Sequence, residues 1–161
     1  MKPGPRLAGL LSCAVVGSGL ATIGAATTWY RTVQPSRKIT SSLGVVPIPG
    51  AVHSHSPSDL GSPILPIAVL CLVFGLLAFL LGPRARTALL GLVVAGSIAV
   101  VALTFIVKKP VEAGASVRSA PGRIVTPIGA AVALVAAAAA LPLSTKVRRV
   151  RMPESGPEVG E

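Results

Sequence analysis

Four stretches of this chain carry no Asp, Glu, Lys, Arg or His, and each is long enough to cross a bilayer: residues 7–29, 62–82, 87–107 and 124–144. A membrane span needs about 20 apolar residues at roughly 1.5 Å of rise each. Backbone amides cannot stay unpaired in hydrocarbon, so runs of this length should be helices. The expected fold is all-α: an integral membrane four-helix bundle with antiparallel, up-down topology. It would form a single transmembrane domain over residues 1–151, followed by a disordered tail over 152–161, where the sequence turns from basic to acidic.

Composition supports this reading. Hydrophobic residues make up 52% of the 161, and charged residues only 12%. A soluble domain has about a quarter of its residues charged, because its surface must face water. Aromatics are 3%, so the hydrophobicity comes from Ala, Val, Leu and Gly, which suit close helix packing in lipid. The net charge is +10, yet every Lys and Arg lies between the apolar runs. That placement reads as anchors flanking membrane spans, with the lipid bilayer as partner. No basic patch is interleaved with aromatics, which argues against nucleic acid.

The connections differ in kind. Residues 30–61 form a loop rich in Pro, Ser and Gly, predicting irregular or extended backbone. Within it, Leu43 to Ile48 could form a strand, but Pro47 and Pro49 argue against a long one. Gly82-Pro83-Arg84-Ala85-Arg86 is a tight basic turn, which makes spans two and three an antiparallel hairpin. Span four holds the run Ala136 to Ala140, strongly helical but weakly hydrophobic, so it inserts least well. Pro127 falls in its first turn, where proline is tolerated, and Pro142 is expected to end or kink it.

Orientation follows from basic residues on the two sides. With the N-terminus inside, the inner set is Lys2, Arg6, Arg84, Arg86, Lys146, Arg148, Arg149 and Arg151; the outer set is Arg31, Arg37, Lys38, Lys108, Lys109, Arg118 and Arg123. The totals nearly tie, but the inner charges are denser, which places both termini in the cytoplasm of a plasma-membrane protein. Span one also has features of a cleaved signal peptide: Lys2 and Arg6 form a basic start, and Gly24-Ala25-Ala26 resembles a cleavage site. Its apolar run is longer than signal peptides use, which favours a retained span.

Small residues mark the expected helix contacts. Gly9, Cys13, Gly17, Ala21 and Ala25 recur at steps of four in span one. Gly91, Ala95 and Ala99 repeat the pattern in span three, and Gly129, Ala133 and Ala137 in span four. Small side chains let backbones approach, and dispersion then replaces the hydrophobic drive that lipid removes. Spans one, three and four are therefore expected to share the central contact, with span two facing lipid more. Trp29 and Tyr30 close span one where amphipathic rings anchor at the headgroups; Arg84, Arg86, Arg148 and Arg149 do the same at the other side.

No ionisable group lies inside a span, which argues against proton relays and intramembrane catalysis. Cys13 and Cys71 read as small hydrophobes, without metal-ligand spacing. His53, His55 and Asp59 are the best candidates for a metal, but a Pro/Ser loop offers no preorganised site, so solvated loop residues are the expectation. No catalytic, cofactor or metal site is expected.

Trp29 followed by Thr32-Val33-Gln34-Pro35, then Ser58-Asp59-Leu60 leading into span two, the Arg84-x-Arg86 turn, and Thr126-Pro127 opening span four together carry a resemblance. The chain resembles the tryptophan-biosynthesis-associated membrane proteins of high-GC Gram-positive bacteria, over about Arg6 to Arg151. The resemblance implies four spans and a genomic association with tryptophan biosynthesis, without an activity. Two functions follow as expectations: a non-enzymatic accessory protein binding copies of itself or another membrane protein, or a subunit of an oligomeric amino-acid transporter or channel.

Overall fold

The computed structural model describes residues 3–41, 44–108 and 115–149. The terminal residues Lys2 and Arg151, the tail 152–161 and Lys109 fall outside them. Four helices appear in chain order: α1 (Pro5–Ala26), α2 (Ile64–Leu80), α3 (Pro83–Ile106) and α4 (Gly122–Arg149). Pro5 and Pro83 open α1 and α3 at positions whose N–H has no helical partner anyway. Helices α1, α3 and α4 are long and apolar enough to cross a membrane, and α2 is a shorter apolar helix of 17 residues. This is a small polytopic membrane protein.

The all-α expectation needs correction at one end of the bundle. Strands β1 (Tyr30–Val33), β2 (Arg37–Ser41), β3 (Gly44–Ile48) and β4 (Val52–His55) occupy the first long loop. Strand β5 (Ser116–Ser119) precedes α4. β1 lies between β4 and β5, antiparallel to both, with Tyr30 opposite His55 on one side and Ser119 on the other. β2 and β3 form a separate hairpin in which Lys38 faces Pro47. That hairpin is an isolated two-stranded ribbon, so the proline needs no ladder hydrogen bond on its outer edge.

The three-stranded sheet ties the ends of the helices together. It joins the segment leaving α1, the segment entering α2 and the segment between α3 and α4. Those four helix ends therefore share one side, termed the sheet end. The Leu81-Gly82 link between α2 and α3 lies at the opposite end.

The helix pairing also differs from expectation. The most extensive pair is α1 with α4, followed by α3 with α4, α2 with α3, and α1 with α2. The helices thus form a closed ring with α1 and α3 on a diagonal. α4 joins those two, and α2 closes the ring instead of standing outside it. One buried cluster at the far end contains Leu7, Leu11, Ala14, Leu90, Val93 and Ala137; another under the sheet contains Ala25, Trp29, Tyr30, Ile64, Ala68 and Val100.

Only part of each small-residue stripe faces a neighbour. In α1, Gly17, Ala21 and Ala25 are buried, while Gly9 and Cys13 are exposed. In α4, Gly129, Ala133 and Ala137 are all buried. In α3, Gly91 and Ala95 are exposed and Ala99 is half-buried; the inward face is instead Leu90, Val93, Ser97, Val100 and Thr104. Helix α4 also runs through Pro142 to Arg149 without ending there. In that turn Thr145 donates to the Pro142 carbonyl at 3.0 Å, and the Ser144 hydroxyl lies 2.8 Å from Leu141 O.

Candidate functional site

Two regions concentrate polar groups, one at each end of the bundle. The first begins with backbone contact between α1 and α4. A side chain on Gly17 would place its Cβ 2.5 Å from the Ala133 amide nitrogen, and one on Gly24 would lie 2.6 Å from the Thr126 nitrogen. Gly129 meets the backbone of Gly17 and Ala21 as closely. Only glycine permits such an approach, and it brings the C-terminal turn of α1 against the first turns of α4.

At the sheet end this crossing organises a dense polar knot. The Gly24 carbonyl accepts from Trp29 Nε1 at 3.0 Å and from Thr27 Oγ1 at 2.9 Å. The Trp29 amide donates to His55 O at 2.9 Å, and Trp29 O accepts from the Ala120 amide at 2.8 Å. Trp29 and Tyr30, expected as interface anchors, are both fully buried at the sheet end. The Arg123 guanidinium sits 5.2 Å from the centre of the Tyr30 ring, within cation–π range. The Tyr30 hydroxyl is buried without a hydrogen-bond partner. Thr32, also buried, shares a 3.1 Å hydrogen bond between its Oγ1 and His55 Nε2.

Asp59 stands just before α2. Its carboxylate accepts from the Ser56 amide at 2.7 Å and from Ser56 Oγ at 2.8 Å. These bonds, the amide first, hold its carboxyl below the usual carboxylate range. Among the described residues no group of three or more His, Cys, Asp or Glu could hold a metal ion, and His53 points from an exposed position on β4. A cleft of about 470 Å³ opens nearby between Leu60, Ser62, Leu103, Ile106, Val107 and Lys108.

The opposite end is built around the α2–α3 turn. Arg86 was expected to anchor at the headgroups, but only 4% of it is exposed. Its Nε donates to Ala78 O at 2.7 Å and its Nη2 to Leu81 O at 3.2 Å. It therefore caps the last carbonyls of α2, where the helix dipole favours a cation. Arg84, two residues earlier, is exposed and lines a cleft of about 310 Å³ with Thr87, Ser144 and Thr145. Thr87 Oγ1 and Ser144 Oγ meet at 3.0 Å and bind α3 to α4. Arg148 and Arg149 lie on the helical backbone of α4; their side chains fall outside the described set.

Sequence reasoning missed three features here. Arg86 looked like any flanking cation, although a basic residue three positions after Pro83, at the start of a helical hairpin, is spaced to reach back to the preceding helix end. The burial of Trp29 and Tyr30 and the contact of Gly24 with Thr126 depend on partners far away in the chain, and no local pattern announces them. Compared with known proteins, the sequence matches no family model and no curated protein.

Proposed function

We propose that the chain is a non-enzymatic accessory protein of the plasma membrane, with four spans, both termini in the cytoplasm and the sheet outside. The fourth span is α2. It starts at the sheet end and reaches the opposite turn, so it must traverse the bundle even though 17 residues give only about 25 Å of helix. The observation that carries the accessory reading is the filled core. Backbone contacts at Gly17, Gly24 and Gly129 and the buried Leu11, Leu90, Val93 and Val100 occupy the space where a solute path through one copy would run.

Surface chemistry supports a partner in the membrane. Gly9 and Gly91 face open space, and Cys13 is exposed on α1 within a wholly apolar groove formed with Val132, Val135 and Ala139 of α4. Small outward residues allow another helix to approach closely. Oxidative cross-linking in native membranes tests this: Cys13 should join to a second copy or to one discrete membrane protein, and the Cys13→Ser variant should lose that product. A substrate-specific flux from proteoliposomes holding the protein alone would overturn the accessory role in favour of a transporter. The association with tryptophan biosynthesis rests on the sequence motifs; a deletion strain growing normally without tryptophan would count against it.

A further inference from the structure

We propose that the cleft between the first turn of α3 and α4, lined by Arg84, Thr87, Ser144 and Thr145, holds the phosphate headgroup of an anionic glycerophospholipid. The proposal goes beyond the accessory role and requires only that the helices span a bilayer. The cleft measures about 310 Å³ and sits where α3 begins its long apolar run. That position is the headgroup level of whichever leaflet this end meets.

Among the described residues, the positive charge at this end faces no acidic side chain. Arg84 is exposed, Arg86 is buried against two carbonyls, and Arg6 lies in the first turn of α1. Asp59 is the one acidic residue among the described residues, and it belongs to the sheet end. A buried guanidinium bonded only to neutral carbonyls keeps its full charge and leaves a positive field that an external anion relieves. The helix itself adds to this, because α3 begins with no side-chain cap and no acidic residue in its first turn. Arg84 supplies the planar fork that suits phosphate oxygens.

The hydroxyls fit the rest of a headgroup. Thr145 Oγ1 donates to Pro142 O at 3.0 Å. Thr87 Oγ1 and Ser144 Oγ lie 3.0 Å apart, so one donates to the other while the second donates to its own helix, Thr87 to Pro83 O at 3.0 Å or Ser144 to Leu141 O at 2.8 Å. All three protons are engaged within the protein, so toward a ligand these hydroxyls act as acceptors. A glycerol headgroup, whose hydroxyls can donate while its phosphate accepts from Arg84, uses both features. A choline headgroup has no donor for them, and its cation meets Arg84 unfavourably.

The test is native mass spectrometry of the full chain released from bilayers containing equal phosphatidylglycerol and phosphatidylcholine. The expected result is selective retention of phosphatidylglycerol, falling about tenfold in Arg84→Gln and unchanged in Arg31→Gln, an exposed arginine at the sheet end. Circular dichroism confirms that each variant keeps its helices. Retention in the unaltered protein should also fall with added salt, a readout that needs no variant. Equal retention of the two lipids, equal loss in both arginine variants, or insensitivity to salt would each overturn the proposal. Displacement of the lipid by millimolar inorganic phosphate would identify free phosphate as the ligand and overturn the lipid.

Discussion

Single residues here divide sharply by whether they touch a backbone. Gly17 and Gly9 belong to the same stripe, yet a Cβ on Gly17 would collide with Ala133 and one on Gly9 would meet nothing. Gly17→Ala should destabilise the bundle by about 2 kcal/mol, the middle of the overpacking range, while Gly9→Ala and Gly91→Ala should stabilise their helices by at most about 1 kcal/mol. Thermal unfolding in detergent, followed by circular dichroism, separates these outcomes; equal effects would refute the close crossing. The arginines divide in the same way. Removing the buried Arg86 leaves two α2 carbonyls without their cationic donor, so Arg86→Met should cost about 2 kcal/mol, the range for hydrogen bonds to charged groups, and the exposed Arg84→Met should be near neutral. The same melting measurement decides it.

Elements show what the sequence could and could not convey. Helices are legible because their hydrogen bonds are local and charge marks their ends; all four lie close to the charge-free runs. The sheet is not legible in this way. β1 and β5 are four residues each, both contain an arginine, and the paired residues lie at least 19 positions apart in the chain. A strand of that kind has no periodic signature; the sequence points to a strand only over Leu43 to Ile48, which overlaps β3 at Gly44–Ile48, with Pro47 inside it. Trp29 reports on this element directly. Because its ring is buried at the sheet end, brominated lipids labelled near the headgroup should quench its fluorescence weakly; strong quenching would support the interface-anchor reading. The Ser56–Asp59 turn that leads from β4 into α2 gives a pH dependence. Asp59 has a lowered folded-state pKa, so its contribution is complete above the usual carboxylate range, near pH 4, and is lost as pH falls through the lowered value. Asp59→Asn should remove that acid-side change in the stability of the turn, followed by amide exchange at Ser56.

At the scale of the whole molecule, the sheet and the charge distribution make the two ends of the bundle unlike each other. The sheet end carries Arg31, Arg37, Lys38 and Arg118 on strands, with Lys108 just after α3 and Arg123 in the first turn of α4. The other end compresses its cations into a short turn and the last turns of α4. The positive-inside rule weighs short loops and charges near span ends most heavily, whereas long loops cross largely regardless of charge. On that weighting, the near tie in total charge favours the proposed internal Arg84–Arg86 end, with the strand-forming connections on the other side of the membrane. Ser54 on β4 and Ala85 in the first turn of α3 are both exposed and mark the two ends of the bundle. In a background with Cys13→Ser and Cys71→Ser, a membrane-impermeant maleimide applied to intact cells should label Ser54→Cys and leave Ala85→Cys unmodified until the membrane is opened. Labelling of Ala85→Cys alone would invert the topology. Labelling of both on intact cells would show that α2, the shortest of the four helices, does not cross, and would reduce the protein to three spans.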